Sequence, residues 1–171
     1  MKLKLWLRLV GVLQIAGGGI GIALLILATG SDDSLVGCIA FGVLFSASIV
    51  AGIGLWRSVP HRLALVASGL FWLAQVPHLA TTTFVYRLWT GPACEIFVKG
   101  GGESLSRGIF YAFGFSFDFD FAVRPERPFV FGINLFAIAV LLLLWRAWRA
   151  ARPAIAHSEV SNDDRSHVPR A

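Results

Sequence analysis

The sequence predicts an all-α membrane protein: a bundle of four transmembrane helices, with a small extracytoplasmic β-meander or hairpin between the third and fourth. Three observations predict it. The 171 residues are 56% apolar and only 15% charged, against about a quarter charged in a soluble domain. Four windows, at residues 9–29, 35–56, 63–84 and 128–146, each approach the ~20 apolar residues that a membrane-crossing helix needs. Between the last two, at 109–123, apolar residues recur at every second position, which is the period of a strand.

The first window follows Lys2, Lys4 and Arg8 and contains GGGIG at 17–21. Its start resembles a signal peptide, but the apolar stretch exceeds the usual ~7–15 residues, so it is expected to stay as a helix. Gly17 and Gly21 form a small-xxx-small pair, and Ser48 with Gly52 repeats that spacing in the second window. Small residues let helix backbones approach closely, so these four positions predict a tight hairpin of the first two spans. No strand precedes the glycines and no acidic partner follows, which excludes a dinucleotide fingerprint.

Orientation follows from charge. Arg57 and Arg62 lie between the second and third spans, Arg146, Arg149 and Arg152 follow the fourth, and the first loop holds only Asp32 and Asp33. The positive-inside rule then places both termini in the cytoplasm and residues 85–127 outside. Trp6, Trp56, Trp145 and Trp148 fall at the inner boundary and Trp89 at the outer, as an aromatic belt would. Trp72 alone lies mid-span and is expected between helices. Twelve arginines to three lysines suggest a GC-rich bacterium, so the expected location is a bacterial inner membrane, crossed several times. Residues 1–150 form the membrane domain in this reading, and the polar, aperiodic 151–171 a disordered cytoplasmic tail.

Three amide or imidazole side chains fall in the outer half of the last two spans: Gln75 and His78 in the third, Asn134 in the fourth. At similar depth they are candidates for a ligand or proton-relay site, since intramembrane polar groups turn inward and pair. The competing role is helix bridging. No cofactor or metal is expected. A bis-histidine haem needs two histidines in the bundle and His78 is alone there; no HExxH or His/Cys cluster occurs. Asp118 and Asp120 are too few oxygen ligands for calcium. Cys38 and Cys94 are the two cysteines; they are a potential disulfide, but they form no CxxC redox pair.

The alternating run carries Phe113, Phe115, Phe117, Phe119 and Phe121 on one face. Asp118 and Asp120 would each cost ~2.5–3.5 kcal/mol in a span, which excludes a fifth helix. Gly114 is the expected bend. Residues 95–99 (EIFVK) and 84–89 offer partner strands. The Phe face is expected on the helix ends or the lipid interface, the aspartates in water. Phe115, Phe117, Phe119 and Phe121 are candidate contacts to a second copy or a membrane protein partner. Basic residues clustered at span ends suit lipid headgroups and give no nucleic-acid surface. The expected function is a non-catalytic structural or interaction protein of the membrane. The alternative is a small oligomeric transporter or proton-coupled permease built on Gln75, His78 and Asn134.

Overall fold

In a computed structural model the described residues are 2–28, 35–57, 62–101, 104–121 and 123–163. They form α1 (Lys2–Ala28), α2 (Leu35–Leu55), α3 (Arg62–Ala74), β1 (Pro77–Ala80), β2 (Val85–Gly101), β3 (Ser104–Asp120), β4 (Phe129–Asn134) and α4 (Leu135–Asp163). The acidic first loop and His61 lie outside the described residues.

The four-helix membrane bundle is corrected. Four helices accompany a four-stranded antiparallel sheet, and two helices among the described residues, not four, are long and apolar enough to cross a membrane. Those two stretches are Leu3–Leu27 in α1 and Cys38–Leu55 in α2. The third apolar window breaks because α3 tightens into i→i−3 bonds, Gln75 N–H to Trp72 O and Val76 N–H to Leu73 O at 3.1 Å each. Pro77 then has no N–H to continue the ladder, so 77–80 extends as β1. The fourth window breaks at Asn134, whose side chain starts α4 after six residues of strand. At its far end α4 runs on to Asp163, so residues 151–163 of the expected disordered tail are helical.

The alternating run does form a strand. β3 pairs with β2 in one unbroken register from Val85 opposite Asp120 to Gly101 opposite Ser104. No bulge occurs at Gly114. It lies opposite Gly91, whose φ of +100° only glycine adopts easily. The sheet order is β1-β4-β2-β3, with β1 also bonded to the start of β2. Strands β1, β4 and β2 therefore close on one another, and β3 is left at the edge.

The sheet is seated on the helices rather than beyond them. A Cβ on Gly17 would stand 2.8 Å from Thr90 Cβ and 3.6 Å from the Phe115 ring, so this glycine admits β2 and β3, not α2. Gly21 does face α2, against the Phe45 ring. Backbones also meet nearer the start of α1: a Cβ on Gly52 would stand 2.7 Å from Gly11 O. Trp72, in the last turn of α3 rather than mid-span, is wholly buried, edge-on to Phe71 in α3 and to Phe136 in α4. Trp89 is buried within the protein, ring to ring with Phe110 at 5.6 Å and under the Arg87 guanidinium at 4.1 Å.

Candidate functional site

The three polar side chains grouped by the sequence take separate partners, all along β2. Gln75, one residue past α3, accepts at Oε1 from Thr90 N–H at 2.8 Å and from the Thr90 hydroxyl at 3.3 Å. Asn134 Oδ1 accepts from Phe136 N–H (3.1 Å) and Ala137 N–H (3.4 Å), the geometry of a helix N-cap, and from Cys94 N–H at 3.3 Å. This one side chain ends β4, starts α4 and ties both to β2. Asn134→Ala should cost about 1–2 kcal/mol of stability, the scale of a lost cap. Asn134→Asp keeps the acceptor and should retain most of it. Thermal melts of the purified protein would compare them.

His78 meets a residue that the sequence reading passed over. Its Nδ1 lies 2.6 Å from Glu95 Oε1, and both side chains are shielded, at 16% and 5% exposure. The carboxylate is aimed at this place by backbone shape. His78 sits opposite Gly132 in β1–β4 pairing, and Glu95 opposite Asn134 in β2–β4 pairing. A Cβ on Gly132 would collide with the Glu95 carboxyl. Gly132 is therefore the recess that Glu95 fills inside the closed β1-β4-β2 unit. Only the strand reading of EIFVK pointed at Glu95, and a period of two could not reveal that its side chain turns inward.

A second buried polar group joins three helices. Gln14 is fully buried in α1; its Oε1 accepts from the Ser68 hydroxyl of α3 and its main-chain O from the Ser48 hydroxyl of α2, each at 3.0 Å. Ser48 thus joins α2 to α1 through a hydrogen bond. Gln14 carried the same signal as Asn134, a lone amide in an apolar window, and the sequence reading did not use it.

Burial raises the Tyr86 pKa above the ordinary tyrosine value near 10. The neutral phenol donates to Ala74 O at 2.5 Å. Since the unfolded tyrosine titrates first, this contribution is complete below pH about 10 and drains as pH rises toward the raised native value. Denaturation followed upward from pH about 10 should show that loss in the wild type and not in Tyr86→Phe.

Cys38 and Cys94 are free thiols. Among the described residues no three His, Cys, Asp or Glu side chains gather as metal ligands. The phenylalanine candidates divide. Phe117 is half-buried against Phe41 (5.3 Å) and Phe45 (6.0 Å), and Phe119 also meets Phe41 (6.2 Å). Phe115 lies over Gly17, and Phe121 is exposed but stacks on Phe84 at 4.8 Å. The expected row is thus anchored to the helices at 115–119 and open at both ends, at Tyr111 and Phe113 on one side and Phe121 on the other. Asp120, expected in water, is clamped by Arg127 at 3.0 Å and Arg124 at 3.2 Å, which fixes the connector after β3. No protein-family model, curated protein or solved structure matches the chain.

Proposed function

We propose that the chain is a non-catalytic membrane protein whose sheet presents the open edge of β3 to a partner chain. One observation carries this reading. β3 extends over 17 residues, pairs only with β2, and contains no proline. Long flat edges with unpaired N–H and C=O groups are templates for strand addition, and proteins that do not use them shorten, bulge or cover them. Here charge guards it sparsely, at Arg107, Asp118 and Asp120, the last held by two arginines.

A membrane setting is supported by the helices' outward surfaces. Val43, Val50 and Ile26 are 65–70% exposed, a costly arrangement in water and an ordinary one in hydrocarbon. The His78 and Glu95 pair serves the fold in this reading, holding the closed unit from which β3 projects.

The test is a photo-crosslinking amino acid at Phe110 on β3, activated in native membranes. The expected product is one adduct of fixed mass. It should vanish when proline is placed at whichever of Ala112 and Phe113 turns its N–H away from β2, since an edge tolerates proline there but cannot pair. An adduct indifferent to that proline, or none at all, would overturn edge pairing.

A further inference from the structure

We infer that the distal half of the sheet's helix-facing face is a plate that docks on an anionic lipid surface, an inference that rests on the membrane setting proposed above. Directly opposed residues in an antiparallel pair share a face. Leu88 opposite Phe117 and Thr90 opposite Phe115 are the rows covered by α1 and α2. The next rows outward on that face are Pro92 opposite Phe113, Cys94 opposite Tyr111 and Ile96 opposite Ile109, with Ile133 of β4 beside Ile96 and Phe131 beside Val98. The large side chains of these rows lie open: Phe113 is 77% exposed, Tyr111 72%, Ile109 59%, Ile96 47% and Phe131 42%.

Three features identify lipid as the occupant. The plate continues the face seated on α1 and α2, whose own outward side chains are apolar. Its composition mixes aromatic and aliphatic groups, as at a headgroup boundary. Among the described residues the one charge on this face is Arg107, opposite Val98, while Glu95 and Asp118 turn to the other side. A base with no acid beside it favours anionic headgroups. The open β3 edge also limits depth. Unpaired backbone groups cannot enter the hydrocarbon, so the plate rests at the interface, about 5–10 Å into the headgroup and acyl boundary.

The experiment uses the full chain with Cys38→Ser and Cys94→Ser, reconstituted in vesicles of phosphatidylcholine and phosphatidylglycerol. An environment-sensitive fluorophore is attached at Phe113→Cys, at Phe131→Cys or, on the opposite face, at Ser106→Cys. The expected result is loss of emission at 113 and 131 with nitroxide-labelled lipid, and several-fold weaker quenching by aqueous iodide there than at 106. Equal iodide access at 106 and 113 would overturn the plate. Shielding from iodide at 113 without quenching by lipid would mean a protein covers it, which overturns the lipid assignment and leaves the proposed function standing. Protein extracted from the vesicles by alkaline carbonate would overturn the membrane setting itself, and the plate with it.

Discussion

His78→Ala should destabilise the folded protein by about 3 kcal/mol, the largest effect expected of any single side-chain truncation outside the apolar core. Glu95 is 4% exposed, and its carboxyl lies where a side chain on Gly132 would be. Removing the imidazole strips it of the hydrogen bond at 2.6 Å. Breaking one half of a buried pair costs more than replacing both halves. The double variant His78→Ala/Glu95→Gln should therefore lose less than the two single changes added together, with a coupling of about 0.5–3 kcal/mol. Denaturant titration in a fixed detergent would measure all three. A cost for His78→Ala below about 0.5 kcal/mol, the range of an ordinary surface change, would contradict the enclosed pair.

Gly52→Leu should be comparably severe for a different reason. The obstacle at Gly52 is Gly11 O, a main-chain atom, with Ile15 Cγ1 at 2.9 Å and Gln14 Cβ at 3.2 Å behind it. A flexible side chain can rotate away; a helix backbone cannot, so α1 and α2 must separate. Overpacking a close contact costs typically about 1–3 kcal/mol and sometimes more. Separation also withdraws Gln14 O from the Ser48 hydroxyl at 3.0 Å, leaving buried polar groups unpaired at about 1–3 kcal/mol. Gly42→Ala is the control, since a Cβ there meets nothing within 4 Å, and it should leave stability unchanged or slightly raised through helix propensity. Equal melting temperatures for Gly52→Leu and Gly42→Ala would contradict the approach.

What the sequence disclosed was set by pattern length. The alternating run at 109–123 repeated its period often enough to read as a strand, and the helices at α1 and α2 were long enough to read as spans. The third and fourth windows misled because hydropathy sums apolar content and is blind to geometry. FVFGIN is as apolar as a helix turn, yet it is strand. Pro77 and Asn134 carried the information instead, one as a stop and the other as a cap. Of the site residues, Gln75, His78 and Asn134 were visible as polar groups in apolar surroundings. Their partners were not, because Thr90, Cys94 and Glu95 belong to β2, and pairings between distant segments leave no mark on either one. Gly17 was legible as a packing residue, but not as the seat of a sheet.

The closed β1-β4-β2 unit requires residues 129–134 to be a strand against β2 rather than the first turns of a fourth span. A double-cysteine variant tests this directly, in the Cys38→Ser/Cys94→Ser background. Val98 and Phe131 are register partners, and opposed Cα atoms of an antiparallel pair lie about 4.5–5.5 Å apart, within disulfide reach. Val98→Cys/Phe131→Cys should therefore oxidise to an intramolecular bridge, and Val98→Cys/Val130→Cys, whose neighbouring side chains point to opposite faces, should stay reduced. Equal oxidation of the two variants, or failure of both to bridge, would contradict the sheet.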